Sequence, residues 1–302
     1  MNKPKVSIVC TVYKHEPYLR QCLDGFVMQK TTFPFEILVN DDCSPDNSAA
    51  IIREYEVKYP HLFRCIYQEE NQYSKGLLPW FEVLFPIAKG EYIAICEGDD
   101  YWTDPYKIQK QVDFMDSHKE YIACFHNAVV DTGDSKRLFN TLDENHFPTT
   151  EDIILRKWFI STQTLFYRNV LTAYPEWRRG IKNEDYLLEL LLAKVGKFYY
   201  MDDVMAVYRL EGQGVSSVMN SNKILMYDGL IHLLLKMKDE YSGMCEETFD
   251  KSISNYEQLK RNLKKDLFFK EHPLLSMLRV KTYKRAIKTF IRCLSDYIGE
   301  TR

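Results

Sequence analysis

GEYIAICEGDDYW, residues 90–102, reads as an apolar strand that stops in carboxylates. Tyr92 to Cys96 is a continuous apolar run of strand length. Glu97, Asp99 and Asp100 follow within four residues, and no base appears before Lys107. Asp104-Pro105 then opens a helix expected to reach about Ser117. An apolar strand, an acidic turn and a helix together form one unit of an α/β fold.

The same unit recurs upstream. Val6 to Val12 is a buried strand, and Pro17 opens a helix to about Met28. Phe35 to Val39 is a second strand, ending in Asn40-Asp41-Asp42. Ser44-Pro45-Asp46-Asn47 carries turn and cap chemistry before a helix to about Lys58. Phe63 to Tyr67 is a short third strand, and Lys75 to Ala88 is expected to be helical. This alternation predicts a mostly parallel, Rossmann-like sheet with helices on both faces. Ligands of such sheets bind beyond the carboxyl ends of the strands, so Asp41-Asp42 and the 97–100 acids are expected in one crevice.

After a strand at Tyr121–Val130 the alternation breaks down. Asp131 to Thr150 reads as a long loop and Thr162 to Arg168 as a strand. Glu184 to Lys194 is a leucine-rich helix. Lys197–Met201 and Val204–Leu210 read as paired strands turning at Asp202-Asp203. The chain is expected to divide into 1–220 and a helical, basic extension, 221–302.

Composition bounds the function. The 302 residues are 45% hydrophobic, enough for a sizeable core, and 14% aromatic, which argues against disorder. A net charge of -3 gives no reason to expect nucleic acid. The charge is uneven: residues 251–302 hold 13 Lys/Arg against 5 Asp/Glu, leaving 27 against 38 in the rest. A basic tail on an acidic body fits an anionic surface such as lipid headgroups, and equally a helix packed on the body or on a second copy. The eight cysteines are scattered without a CxxC pair, which fits a reducing cytosol. No run approaches the roughly 18 to 20 apolar residues of a spanning helix. A cytoplasmic protein is expected, with peripheral contact at the inner membrane face left open.

The acids carry the chemistry. Asp104 already caps the helix at Pro105, so three further carboxylates exceed what one cap needs. Clustered carboxylates suit a hard divalent cation, Mg²⁺ or Mn²⁺, that keeps waters and substrate phosphates in its shell. Asp41-Asp42 reads either as a helix cap or as acceptors for a nucleobase or ribose. Neither GxxxxGK[ST] nor GxGxxG occurs, so a nucleotide would be held through metal and carboxylates, as in nucleotide-sugar or nucleotidyl chemistry.

Four stretches in order resemble family 2 glycosyltransferases: VSIVCTVYKHEPYLRQCLDGFVMQ, FEILVNDDCSPDNS, GEYIAICEGDDYWTDPYKIQKQVDFM and NEDYLLELLLAKVGK. The resemblance covers about residues 4–217. It implies a GT-A fold and an inverting, metal-dependent transfer from a nucleotide-sugar, usually UDP-linked, to a glycan or lipid-linked acceptor of a bacterial surface polysaccharide. Thr11 and Tyr13 would line the nucleotide pocket, and Asp42 would meet the base. Asp99 and Asp100 would bind ribose, diphosphate and metal, with Glu97 where many members carry the first Asp of their DXD motif. Lys75 would approach the diphosphate. Asp185 would be the general base that takes the acceptor's proton. AVYRLEGQGVSS resembles a loop closing over the donor. Arg209 there faces either diphosphate or a structural carboxylate, and Glu211 replaces a common His as candidate metal ligand. Trp158 and Trp177 are candidates for sugar stacking or for packing. A nucleotidyltransferase and a non-catalytic nucleotide-sugar or glycan-binding protein are the alternatives, and the oligomeric state is open.

Overall fold

The computed structural model describes residues 3–142, 148–155, 159–210 and 223–271. Nine strands form one sheet: β1 (Val6–Val12), β2 (Phe35–Asp41), β3 (Phe63–Tyr67), β4 (Tyr92–Ile95), β5 (Tyr101–Trp102), β6 (Tyr121–Asp131), β7 (Lys136–Leu138), β8 (Phe166–Arg168) and β9 (Lys197–Arg209). The order is β3-β2-β1-β4-β8-β6-β9-β5, with β7 beside β6. Strands β3, β2, β1 and β4 run parallel. In the other half β8 is antiparallel to β4 and β6, β6 and β9 are parallel, and β5 runs antiparallel to β9. The helices are α1 (Glu16–Val27), α2 (Ser48–Lys58), α3 (Lys107–Ser117), α4 (Thr150–Ile154), α5 (Glu184–Val195), α6 (Lys223–Glu240) and α7 (Glu246–Glu271).

The period of two along each strand builds two cores. Ile8, Cys10, Val12, Ile37, Val39 and Ala94 face one cluster with Leu19, Leu23 and Phe26 of α1 and Ile51 and Ile52 of α2. Val9, Leu38, Ile93 and Ile95 face the other, with Leu187, Leu188 and Leu191 of α5 and Leu233, Leu234 and Met237 of α6. Both faces of β1 and β4 are therefore largely dry, which explains their predominantly apolar sequences. The helical pair α6–α7 joins the second core: Tyr241 donates its hydroxyl to Leu190 O, 2.8 Å, and Ser252 to Ile154 O, 3.0 Å.

Gly90 shows how tightly the sheet is seated. A Cβ there would stand 2.4 Å from Ser7 N, 2.7 Å from Tyr92 O and 2.7 Å from Val6 C, all backbone. Only glycine lets the chain enter β4 so close to β1.

Three expectations are corrected. Lys75–Ala88 is not an α-helix: 3₁₀ turns at Tyr73–Lys75 and Phe85–Ile87 flank a π-helical turn at Trp80–Leu84. Pro79 and Pro86 deny the amides a regular ladder needs. Residues 197–209 are one strand, not a hairpin. Asp202-Asp203 is a bulge, where the register with β6 jumps from His126↔Met201 to Asn127↔Val204. Thr162–Thr164 is a 3₁₀ turn, so the strand there is confined to Phe166–Arg168.

Candidate active site

The carboxyl ends of β1, β2 and β4 converge, and their loops are stitched together by side chains. After β1, Lys14 N donates to Ser44 Oγ, His15 N to Ser48 Oγ and Glu16 N to Asp46 Oδ2, each 3.1 Å. Glu16 returns the contact by accepting from Asn47 N, 2.9 Å, and Asn47 Nδ2, 2.7 Å. The Ser44–Asn47 stretch thus fixes the start of α1 as well as leading into α2. Lys14 (φ 60°) and Cys43 (φ 59°) are both held left-handed, a strain that loops keep where function over-determines them.

The two acids after β2 are buried, Asp41 at 2% and Asp42 at 3% exposure. Asp42 accepts from Gln72 N, 2.8 Å, and Tyr73 N, 3.0 Å, so it tethers the 72–75 turn to the end of β2. Burial raises its carboxyl above the usual range, and those two amides partly offset the rise. Thr11 sits half-buried on β1 opposite Asn40, and its carbonyl accepts from Gly98 N, 3.1 Å. Tyr13 is exposed with Lys14 Nζ 5.1 Å from its ring centroid. Lys75 is exposed and paired with Glu70.

The 97–100 turn is closed by Asp100 N donating to Glu97 O, 3.1 Å. A Cβ on Gly98 would stand 2.7 Å from His15 Nδ1 and 3.1 Å from Val12 Cγ2, so the turn packs directly on the β1 loop. Its three acids differ in role. Asp99 faces the cleft, with His15 Nε2 3.8 Å away. Asp100 is 2% exposed and accepts from Arg209 N, 2.8 Å. Burial and the neighbouring Asp99 push its carboxyl well up. Glu97 is pushed up to about 8, first by burial, then by Asp99 and Asp185.

Asp185 is therefore near enough to the turn to raise Glu97. It lies in the first turn of α5 beside Glu184, whose carboxyl is raised well above the usual range by burial and by Glu97 and Asp185. Tyr73 is raised by burial and by Glu184, Glu97 and Asp185. Two remote segments thus bring their acids into one field, and Tyr73 of a third lies within it. Hard oxygen donors that raise one another fit a divalent cation, whose charge would relieve the repulsion. Among the described residues no three His, Cys, Asp or Glu side chains form a preformed cage. The donor set fits a cation that keeps water and substrate oxygens. Glu211, Gly212, Gly214 and Trp158 lie outside the described residues, as does the tail beyond 271.

Arg209 is committed to the protein. Its Nη1 donates to Asp99 O, 2.6 Å, its Nη2 to Gln21 Oε1, and its backbone N to Asp100. Its guanidinium lies 4.3 Å from the Tyr101 ring centroid and 5.0 Å from that of Tyr18. Its guanidinium thus braces the carbonyl of the acidic turn, and its backbone amide meets the buried Asp100 carboxylate. His15, Gln21 and Gln72 escaped the sequence reading, because each acts through a contact with a residue remote in sequence.

Residues 7–173 match glycosyl transferase family 2. An uncharacterized protein of Mycobacterium tuberculosis is 37% identical over 217 residues, 70% of this chain and 60% of the relative. The chain thus spans about 60% of the length of that relative. A putative teichuronic acid biosynthesis glycosyltransferase of Bacillus subtilis, TuaG, is 27% identical over 218 residues, 71% of this chain and 82% of the relative. Among solved structures, residues 1–349 of S. aureus TarS in complex with UDP-GlcNAc align with a TM-score of 0.64 at 21% identity, covering 83% of this chain and 71% of that one. That likeness bears on the fold, which is of GT-A type.

Proposed function

The chain belongs to glycosyl transferase family 2, and from that premise we propose that it is a glycosyltransferase that carries out an inverting transfer from a UDP-sugar to a hydroxyl of a surface-polysaccharide acceptor. The observation that supports this reading is the shared field of Glu97, Asp99 and Asp185, which brings the acidic turn and the start of α5 into electrostatic reach of each other. UDP as the nucleotide is supported by the structural likeness to a UDP-GlcNAc complex. A glycan acceptor, free or lipid-linked, is supported by the relative named for teichuronic acid biosynthesis.

In this reading the nucleoside lies over the ends of β1 and β2, beside Thr11 and Tyr13, with Asp41 and Asp42 beneath it. Asp42 also fixes the 72–75 turn that would border the donor, with Lys75 on the same turn. Asp99 faces the donor diphosphate. Mn²⁺ or Mg²⁺ held there, with Glu211 as a further candidate ligand, would offset the charge that develops on the departing nucleoside diphosphate. Asp100 and Arg209 hold the turn in shape. Asp185 accepts the proton of the attacking hydroxyl, which must leave as the oxygen bonds to the anomeric carbon. Direct displacement inverts that carbon, and the diphosphate leaves without needing an acid.

Among the described residues no helix is long and apolar enough to cross a membrane, and each described cysteine is a free thiol. The free thiols support work in a reducing compartment, and the basic tail is proposed to meet anionic headgroups at the inner membrane face. We take 1–220 as the catalytic unit and 221–302 as its extension.

A thermal-shift screen of nucleotide-sugars with and without Mn²⁺ tests the donor. UDP-sugars are expected to raise the melting temperature only with the metal, and Asp99→Ala to lose the shift. Shifts by other nucleotides alone, or none, would overturn the donor assignment.

A further inference from the structure

The segment that leads into α5 carries a cation to the edge of the acidic cleft. Lys182 stands three residues before Asp185, and its ammonium lies 4.4 Å from the Tyr73 ring centroid. We propose that Lys182 reads an anionic group, a phosphate or a carboxylate, carried by the acceptor beside its attacking hydroxyl. The proposal rests on the glycosyltransferase reading and narrows the acceptor to a charged glycan.

The lysine is held in place. Ile181 and Asn183 are buried on either side of it while Lys182 is exposed, so the backbone is anchored and the long side chain leaves the core. Gly180 N donates to Gly76 O, 3.2 Å, and Ile181 N to Arg178 O, 3.0 Å. These bonds seat the segment against the turn that carries Tyr73. The ring attracts the ammonium through its π-face and orients it, yet leaves N–H donors for a ligand.

The surroundings select the charge. Tyr73 lies in the field of Glu184, Glu97 and Asp185, and Lys182 acts on Glu184. Lys182 is therefore on the side of the cleft where the acceptor hydroxyl would lose its proton. An anion entering among these carboxylates is repelled unless a cation meets it. The neighbouring cations are engaged: Lys75 with Glu70, and Arg178 and Arg179 with the one carboxylate of Glu82. Lys182 rests on a ring instead. Arg179, 70% exposed, adds positive charge to the same rim. An ammonium has three donors and no acceptor, so it suits a phosphate or carboxylate better than a neutral sugar.

Affinity electrophoresis of the full chain with UDP and Mn²⁺ tests this, in gels containing poly(glycerol phosphate), polygalacturonate or dextran. Wild type should be retarded by at least one of the two polyanions and not by dextran, and the polymer that retards it distinguishes phosphate from carboxylate. Lys182→Gln should weaken that retardation about tenfold, with Lys182→Arg keeping most of it. Lys264→Gln, on the exposed part of α7, should leave it unchanged. Equal retardation of Lys182→Gln and wild type, an equal loss in Lys264→Gln, or wild type held as firmly by dextran or by no polymer, overturns the proposal. The thermal shift given by a UDP-sugar with Mn²⁺ should persist in Lys182→Gln; its loss there would put the lysine on the donor diphosphate and equally overturn it. If wild type itself shows no such shift, the donor reading fails, and polyanion retardation that depends on Lys182 still stands.

Discussion

Replacing Lys107 with Met should change stability with a sign that depends on pH. Lys107 is fully buried beneath the acidic turn. Its ammonium donates to Gln111 Oε1, 2.8 Å, and lies 4.0 Å from the Trp102 ring centroid. Burial pushes its pKa down from 10.5 to about 7. Between those values the folded chain binds fewer protons than the unfolded one, so stability rises as pH rises from about 7 towards 10.5. Below pH 7 the charged form carries the whole penalty, on the order of 5 kcal/mol at 1.36 kcal/mol per unit. Methionine fills similar volume without charge, but leaves Gln111 Oε1 without its donor, which costs about 1–3 kcal/mol. At pH 6 the variant should therefore be more stable than wild type by about 2–4 kcal/mol. By pH 10 the wild-type penalty falls to about 1 kcal/mol, and the balance turns against the variant. Paired urea unfolding from pH 6 to 10 reads the difference directly. A difference that is constant with pH, or a variant less stable at pH 6, would refute a charged lysine forced into this core.

Arg209→Ala should loosen the acidic turn while leaving the Asp99 carboxylate in the chain; the Mn²⁺ needed for half-maximal activity should rise roughly tenfold, with a smaller change in kcat, as two side-chain hydrogen bonds are lost. Titration of activity with Mn²⁺ checks this, and an unchanged metal requirement would return Arg209 to a merely structural role. Gly90→Ala should lower stability by more than about 3 kcal/mol, since the added methyl meets three backbone atoms rather than movable side chains. Its chemical unfolding midpoint is the measure, and a fall of under about 1 kcal/mol would show that β4 can shift away from β1.

The fold was legible where local pattern and tertiary demand agree. The central strands β1, β2 and β4 are rich in apolar residues because both of their faces are buried, and β1 and β2 are each followed by turn residues and a helix. The 75–88 stretch was misread because its apolar spacing suits a helix while its prolines forbid the ladder. Asp202-Asp203 resembles a turn, yet β6 pairs on both sides of it and holds the chain extended as a bulge. The acids of the site were visible as anomalies at strand ends. Their division of labour was not. That Asp42 tethers the 72–75 turn, and that Arg209 clamps Asp99 O, depends on contacts between segments far apart in sequence.

The central claim is that Asp185 removes the acceptor's proton in a cleft where Asp99 faces the donor. The direct measurement is sugar transfer from a UDP-sugar in Mn²⁺ by wild type and Asp185→Asn, with donor-induced thermal shift recorded alongside. Transfer should fall by about 10²–10⁴-fold in the variant while the donor shift persists. Turnover by Asp185→Asn close to that of wild type would contradict the assignment.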